Sequence, residues 1–482
     1  MKPRLLSTAA TRPTERITTL SATRLRFARI GFARFALAFS LLPLLASVAL
    51  RAEARPPNIV FILGDDLGYA DTSAYGAPDV ETPHIDGLGR DGLKFENFYA
   101  MGPQCTPSRT AFLTGRYAQR AGGMECAIGT GNVGRYDEAV ELAEEGDLGL
   151  PARLAVLAPA LKAAGYHNGV FGKWHLGYED KFSPLEQGFD EFTGFLGGNV
   201  EYFRHYELSD LEVYLDGREP VDREGYLTHL ITEDSVKFID DRAAEPDKPF
   251  FLFASHAAPH FPFQGPEDRD PEPTEETWME GTRDSYVAML RALDEGVGEI
   301  LAALERNGQA ENTIVIFASD HGAMKPGLNT PWRDYKSTLF EGGMRVPCVV
   351  RWPGVFEPGT VSHQVGTLMD LTRSFLNIAG AEVPDGGELD GIDVLAHVRE
   401  GKPDTPRTLP WRYRRGDLTW RGLRDGDWKL LYLHEGDATE TYLFDLAADP
   451  TETTNLAGER DAEQARLREK LEQWERETVS MR

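Results

Sequence analysis

The chain has 482 residues, of which 41% are hydrophobic and 27% are charged, so it can bury a core large enough for two domains. Its 77 Asp and Glu residues outnumber its 51 Lys and Arg residues, and the formal net charge is −26. A chain this acidic is a poor general binder of nucleic acid or anionic membranes. An anionic ligand would therefore need a local cluster of positive groups.

Residues 1–54 predict a signal peptide. An arginine-rich stretch precedes an apolar run over 35–50, and residues 52–54 place alanine at the two positions that a signal peptidase reads. A retained membrane anchor is the alternative, but the run is short for a spanning helix and Pro43 interrupts it. We expect an exported protein, periplasmic or secreted, with no stable membrane insertion.

Four short segments predict strands, namely apolar runs at 58–64, 249–255 and 313–319 and a further candidate strand at 165–171. Such runs, apolar on both faces, are typical of parallel strands covered by helices on both sides. Helical patterns near 154–164 and over 284–307 precede two of them. The predicted fold class is therefore α/β, a large and mostly parallel sheet sandwiched by helices. We expect the acidic stretch 125–149 to be an irregular insertion.

The pattern changes after about residue 380. Three strand-like pieces follow, with a hairpin signal at Asp425-Gly426-Asp427, and a last helix starts near Asp461. We predict a smaller C-terminal subdomain, an antiparallel sheet plus a helix, over 381–482. The main domain then covers 55–380.

Polar residues follow each of the four predicted strands. They are Asp65 and Asp66, Lys173 and His175, His256 and His260, and Asp320 and His321. Ligands of open α/β sheets bind outside the carboxyl ends of the strands. One such pair alone is usually a solvated turn, but four strand ends carrying metal-ligand or acid–base groups predict a site.

Cys105 lies in the sequence Cys-Thr-Pro-Ser-Arg. Pro107 fits the first turn of a helix, which places Cys105 at or near a helix N-terminus, where backbone amides favour an anion. The alternative is an ordinary helix start with a buried cysteine. Three cysteines make no disulfide scaffold. Cys126 and Cys348 could pair or be inert, and Cys348, in an apolar run, is expected to be buried and free.

Residues 105–116, CTPSRTAFLTGR, resemble the signature of the type I, formylglycine-dependent sulfatases, arylsulfatase-like members of the alkaline phosphatase superfamily. A formylglycine-generating enzyme reads this motif and converts its cysteine to formylglycine. The blocks GDDLGYAD, GKWHLG, APHFP, SDHG and YKSTLFEGG are similar to the family's active-site blocks, in the family's order. YLFDLAADPTETTNLA is similar to its C-terminal subdomain, so the resemblance runs from Pro57 to the end.

The resemblance implies that residues 55–380 are the catalytic domain and that Cys105 carries a hydrated aldehyde. One hydroxyl attacks sulfur and expels the alcohol, and the other then collapses to eject sulfate. It also implies a divalent metal site, whose ligands are Asp65, Asp66, Cys105, Asp320 and His321. Carboxylate oxygens suit Ca²⁺, with Mg²⁺ or Mn²⁺ as alternatives, because many members have asparagine where this chain has His321.

The same resemblance assigns roles to the remaining polar residues. Arg109 should stabilise the aldehyde hydrate and the metal cluster, and Lys173 and Lys336 should contact sulfate oxygens. Lys325 is a rival to Lys336, which the KSTLFEGG context favours.

Two histidines are assigned to proton transfer by the resemblance. His175 should help the second hydroxyl lose its proton, and His260 should protonate the leaving oxygen. His256 is the rival to His260, and the APHFP context favours His260. A serine that some members use near the substrate falls around Gly198 here.

The predicted function is hydrolysis of a sulfate ester on a small molecule or, from family and export, a glycan. The sequence shows no code for the substrate in the stretches 125–149 and 194–222. One alternative is a phosphoester or phosphonate ester hydrolase on the same scaffold. The other is a non-catalytic module that binds sulfated glycans, which predicts a missing nucleophile or missing metal acids.

Overall fold

The computed structural model describes residues 55–129, 135–208, 213–384 and 386–482. Residues 55–482 form one unit around a ten-stranded sheet. The predicted signal peptide lies outside the described residues. Within them, no helix combines the length and apolar character needed to cross a membrane.

The strands fall into one large sheet, one two-stranded pair and one four-stranded sheet. In chain order they are β1 Asn58–Gly64, β2 Leu93–Phe95, β3 Phe98–Tyr99, β4 His167–Lys173, β5 Glu191–Phe195, β6 Leu215–Asp216, β7 Glu219–Pro220, β8 Phe250–Ser255, β9 Thr313–Ser319, β10 Cys348–Arg351, β11 Thr360–Ser362, β12 Gly366–Thr367, β13 Thr408–Arg415, β14 Leu418–Asp425, β15 Trp428–Glu435 and β16 Ala438–Asp445.

The described α-helices cover both faces of the large sheet and close the C-terminal sheet. They are α1 Pro83–Arg90, α2 Cys105–Thr114, α3 Asp137–Glu144, α4 Leu157–Ala163, α5 Leu227–Arg242, α6 Arg283–Arg306, α7 Glu341–Met344, α8 Leu368–Ala379, α9 Val394–Arg399 and α10 Asp461–Glu477. Short 3₁₀ turns occupy Tyr69–Asp71, Ser73–Tyr75, Ala118–Ala121, Ala152–Leu154, Asp180–Phe182, Pro184–Gln187 and Ala310–Asn312.

The large sheet has the strand order β11-β2-β10-β9-β1-β8-β4-β5-β6-β7. Its centre, from β9 to β5, is parallel, whereas β10, β6 and β7 pair antiparallel with their neighbours. Side chains of β1 alternate between two apolar cores, with Phe61 in one and Ile62 in the other. Helices α2, α4 and α8 supply the first core, and α1, α5 and α6 supply the second. The predicted α/β sandwich is confirmed.

The predicted strands differ from the observed ones mainly at their ends. The runs 58–64 and 313–319 match β1 and β9, whereas β4 begins and ends two residues later than predicted. Apolar composition marks the middle of a strand but not its hydrogen-bonded limits. The prediction of an irregular insertion over 125–149 was wrong in part, because α3 lies within it and buries Ala139 against the core.

The C-terminal sheet is an antiparallel meander of β13 to β16. The predicted hairpin joins β14 to β15, and its turn uses Gly426 at φ 63°. Helix α10 packs Leu467 and Leu471 against the leucines of the sheet, which confirms the predicted sheet-plus-helix architecture. The sequence analysis missed β13, whose proline and three arginines obscure the strand alternation. The domain boundaries at 54 and 380 stay a prediction.

Cys126 and Cys348 are both buried and free. Cys348 begins β10 and is fully enclosed, as expected. The alternative in which these two cysteines form a disulfide is wrong. Burial raises the pKa of both thiols, to about 11 for Cys126.

A buried ionic cluster ties the C-terminal sheet to the segment around α7. The Lys429 ammonium on β15 lies 2.8 Å from Glu341 Oε1 and 2.9 Å from Glu452 Oε1, and all three side chains are fully enclosed. Arg345 adds a contact of 2.9 Å to Glu341. Burial opposes ionisation of Glu341, but Lys429 and Arg345 hold its pKa well below the usual range.

Replacing Lys429 with methionine is expected to lower the free energy of unfolding by about 3–5 kcal/mol, because Glu452 loses its buried cationic partner. Urea denaturation of the purified chain would measure this change. The matched control is Lys470→Met, which removes a partly exposed lysine paired with Asp425. Its cost should stay within about 1 kcal/mol. Equal costs for both variants would contradict the assigned importance of the buried cluster.

Candidate active site

The strand ends that the sequence analysis singled out meet at one edge of the large sheet. Asp65 and Asp66 follow β1, Lys173 ends β4 and Asp320 follows β9. All four side chains are fully buried. Because β1 lies between β8 and β9, and β8 pairs with β4, the parallel order of these strands brings their carboxyl ends together.

Cys105 begins α2, as predicted, and its sulfur lies among the strand-end residues. Sγ is 3.2 Å from Lys173 Nζ, 3.3 Å from His321 Nε2 and 3.4 Å from Asp65 Oδ1. Burial disfavours the thiolate, but Lys173, Lys336 and His321 together bring the pKa of Cys105 well below its ordinary value. The site is therefore built to hold negative charge at residue 105.

Two lysines pair with the two acids that follow β1. Lys173 Nζ lies 2.5 Å from Asp65 Oδ2, and Lys336 Nζ lies 2.6 Å from Asp66 Oδ1. Burial and Cys105 nevertheless raise the pKa of Asp65 to about 8, because Lys173 offsets only part of their effect. A divalent cation beside Asp65 would favour the charged form of this buried acid.

Arg109 lies one turn along α2 from Cys105. Its Nη1 donates to the carbonyl of Lys173 at 3.0 Å and to Ser255 Oγ at 2.6 Å. The guanidinium also lies 3.4 Å from Asp320 Oδ2 and 3.8 Å from Asp65 Oδ1. Arg109 therefore fixes the ends of β4 and β8 against α2 and adds positive charge behind the acids.

His321 has the surroundings of a metal ligand. Its Nδ1 lies 3.0 Å from the carbonyl oxygen of Gly322, so Nδ1 donates and Nε2 faces the acids. Nε2 is 3.4 Å from Asp66 Oδ1 and 3.5 Å from Asp320 Oδ1. A backbone carbonyl on the distal nitrogen is the usual support for a metal-bound histidine. Burial opposes the imidazolium, but Asp320 and Cys105 raise the pKa of His321 to about 9. Positive charge is therefore favoured at this place.

The donor set fits a hard divalent cation with one softer ligand. Two groups of ligand atoms lie within 4.8 Å of one another. One contains Asp65, Cys105, Asp320 and His321, and the other contains Asp65, Asp66, Cys105 and His260. Among the described residues, Asp66 Oδ2 and Asp320 Oδ2 are buried and accept no hydrogen bond, although Arg109 Nε lies 3.4 Å from Asp320 Oδ2. Such oxygens are costly to bury unless an ion or another partner satisfies them.

His175 is held as a neutral ring beside Cys105. Its Nε2 lies 2.6 Å from the carbonyl oxygen of Ile128, so Nε2 donates and Nδ1 keeps its lone pair. Burial, together with Lys173, lowers the pKa of His175 to about 4. The ring can therefore accept a proton from a group on residue 105. A Cβ on Gly198 would lie 2.7 Å from this ring, so the backbone there leaves no room for a serine side chain.

His260 and Lys336 lie together, whereas their two rivals do not share the cluster. Lys336 Nζ is 3.1 Å from His260 Nε2, and His260 Nδ1 is 2.8 Å from the carbonyl oxygen of Phe261. His256 is fully enclosed, and its ring nitrogens have no hydrogen-bond partner among the described residues. Lys325 instead lies over the Tyr335 ring.

A cavity of about 580 Å³ opens onto this cluster. Cys105, His175, His260 and Lys336 line it, whereas the side chain of Lys173 lies behind Cys105 and does not. Further lining residues were not singled out by the sequence analysis, although Asn199 and Glu207 lie in the stretch 194–222 that it named; they are Gln104, Tyr178, Asn199, Glu207, Glu275 and Arg415. For Tyr178 a signal was available, because it lies three residues after His175. Gln104 directly precedes the Cys105 motif, whereas the others come from loops and from β13, where no motif marks them.

Comparison with known protein families decides the assignment. The sulfatase family model matches residues 57–381, about two thirds of the chain. The chain belongs to the sulfatase family. It is a sulfuric ester hydrolase, as the resemblance predicted. A model of the C-terminal part of N-sulphoglucosamine sulphohydrolase also matches residues 330–477.

Similar proteins span most of this sulfatase. N-acetylgalactosamine-6-sulfatase of Rattus norvegicus is 35% identical over 381 residues, which are 75% of this chain and 70% of the relative. Arylsulfatase A of Homo sapiens is 32% identical over 463 residues, 86% of each chain. The solved structure of Ps i-CgsB in complex with k-i-k-neocarrahexaose superposes with a TM-score of 0.75 at 29% identity, covering 87% of this chain and 93% of that one.

Proposed function

We propose that this sulfatase hydrolyses a sulfate ester of a sugar. Cys105 is converted to formylglycine, and a divalent cation, for which Ca²⁺ is the first candidate, binds beside it. The observation that carries the proposal is the convergence of Cys105, Asp65 and His321 at the N-terminus of α2. The motif around Cys105 supports a formylglycine-generating enzyme as its maturation partner. The sequence over 1–54 supports export to the periplasm or the medium.

The cation would be held by Asp65, Asp66, Asp320 and His321, with residue 105 as a further ligand. When bound, it would polarise the sulfate and favour a deprotonated oxygen on residue 105. One hydroxyl of the aldehyde hydrate would attack sulfur and displace the alcohol. Loss of the proton from the second hydroxyl would then re-form the aldehyde and break the bond from its carbon to the sulfated oxygen, which releases sulfate. Arg109 and Lys173 hold the acids in place. Lys173, behind Cys105, stabilises negative charge on residue 105 and on a sulfate bound to it.

The residues that line the cavity would act on the substrate. Lys336 would contact a sulfate oxygen, because its side chain lines the cavity beside Asp66 and is 12% exposed. His260 would give a proton to the leaving alcohol oxygen, and the neutral His175 would accept a proton from the second hydroxyl. These two rings line the same cavity as Cys105, which supports their roles as proton donor and proton acceptor.

The sugar substrate is supported by the relatives. N-acetylgalactosamine-6-sulfatase is named for a sulfated amino sugar, and Ps i-CgsB was solved with a neocarrahexaose oligosaccharide. The present chain carries a cavity large enough for at least one sugar ring above Cys105. A sulfated monosaccharide or the end of a sulfated glycan is therefore the proposed substrate.

The test uses chain matured together with a formylglycine-generating enzyme. Para-nitrophenyl sulfate and para-nitrophenyl phosphate share a leaving group, so their kcat/KM ratio reports the preferred anion. We expect sulfate to be preferred by roughly 100-fold or more, because an aryl sulfate carries one negative charge, whereas an aryl phosphate carries up to two beside the buried acids. Release of sulfate from N-acetylgalactosamine 6-sulfate and from a panel of other sulfated sugars tests the substrate class. A preference for phosphate would favour the phosphoester alternative and contradict the proposal.

A further inference from the structure

One wall of the cavity carries a carboxylate that the proposed chemistry does not use. Glu207 lines the cavity together with Cys105 and His175, although the residue is only 6% exposed. The Tyr178 hydroxyl lies 3.1 Å and 3.2 Å from its two carboxylate oxygens. A hydroxyl donates one hydrogen, whereas a carboxylate offers about four acceptor sites. Among the described residues, Tyr178 is the hydrogen-bond donor to Glu207. Most acceptor sites of this carboxylate are therefore left for a ligand in the cavity.

The backbone makes room for Glu207 next to the reacting groups. A Cβ on Gly197 would lie 1.5 Å from Glu207 Oε1, and a Cβ on Gly198 would lie 2.7 Å from the His175 ring. Consecutive Cα atoms are about 3.8 Å apart, so the carboxylate and the imidazole lie within roughly 10 Å of each other. One monosaccharide can span that distance.

The chemistry of a buried carboxylate selects what it can bind. Burial raises the pKa of Glu207 to about 7, and the Tyr178 hydrogen bond offsets this only in part. Above about pH 7, where Glu207 is ionised, hydroxyl groups of a sugar would donate to its carboxylate in charge-assisted hydrogen bonds. A second sulfate or a carboxylate of the substrate would instead be repelled there.

We infer that Glu207 is a specificity-determining residue that accepts hydrogen bonds from ring hydroxyls of the sulfated sugar. The inference rests on the proposed function and narrows it. The preferred substrate carries an uncharged, hydroxyl-bearing face beside its sulfate. An aryl sulfate without hydroxyls forms no such hydrogen bond with Glu207.

The test compares Glu207→Gln with wild type on two substrates, para-nitrophenyl sulfate and the sulfated monosaccharide that wild type turns over fastest. Glutamine keeps the shape and removes the charge. We expect kcat/KM on the sugar to fall by about 10–100-fold, the size of a charged hydrogen bond, and kcat/KM on the aryl sulfate to stay within about twofold. Glu280→Gln is the matched control, because Glu280 is an exposed carboxylate outside the cavity lining. It should change neither value.

The outcomes separate the inference from the proposed function. Equal losses on both substrates would assign Glu207 a structural role, and an unchanged sugar rate would show that no hydroxyl reaches it. Either result overturns the inference while leaving sulfate-ester hydrolysis intact. A wild-type enzyme that releases sulfate from neither substrate would remove the proposed function, and the inference with it.

Discussion

Replacing Cys105 with alanine is expected to abolish sulfate-ester hydrolysis, with a loss on the order of 10⁴-fold or more in kcat, because the nucleophile originates at this residue. The sulfur lies within 3.4 Å of Asp65, Lys173 and His321. Alanine puts no reactive atom among these groups, and no other described side chain at the start of α2 would supply one. Steady-state turnover of an aryl sulfate by matured protein measures the loss.

The control for this variant is Cys348→Ala. It removes the same atom from another buried cysteine, at the start of β10 and outside the cavity lining. Its activity should remain within about twofold of wild type even if the core loses some stability, because the site keeps all of its contacts. A Cys105→Ala enzyme with the wild-type rate would contradict the proposed nucleophile.

Intact mass of the peptide that contains Cys105 completes this experiment. Conversion to formylglycine replaces sulfur by oxygen and removes two hydrogens, so the matured peptide is lighter than the thiol form. Turnover should scale with the converted fraction. Full activity in a sample that holds only the unmodified thiol would exclude the formylglycine mechanism.

Asp320→Asn is expected to lower both metal content and activity, the latter by about 100-fold or more. Replacing a residue that only contacts a metal ligand already lowers metal affinity or activity by about 10–100-fold. The change keeps the shape but removes the negative charge from an enclosed carboxylate whose Oδ2 accepts no hydrogen bond from the described residues. Elemental analysis gives the metal content, and kcat/KM measured against Ca²⁺ concentration gives the affinity.

Chelation and a matched variant control this second result. Removing the cation from wild type should reproduce the loss, and returning Ca²⁺ should restore activity. Asp240→Asn removes an equivalent charge from an exposed aspartate paired with Arg306, and it should leave metal content unchanged. Full activity of wild type after complete removal of the cation would overturn the metal site.

The sequence predicted the core of the fold because its strands are short, apolar on both faces and followed by polar residues. The runs that became β1 and β9 carry this signal in the side chains themselves. It was weaker at β13, where arginine and proline interrupt the pattern, and in α3, where acidic residues concealed a helix that buries a single alanine.

The sequence by itself determined the family of this protein and its class of reaction. The motif around Cys105 and the acids after β1 and β9 predict the reacting groups proposed here, because bond-making atoms need particular residue types at fixed local spacing. Only the tertiary structure decided which side chains share the cavity. It placed Lys173 behind Cys105 and brought Glu207 into the wall. These placements depend on packing between segments far apart in the chain, which no local pattern of residues records.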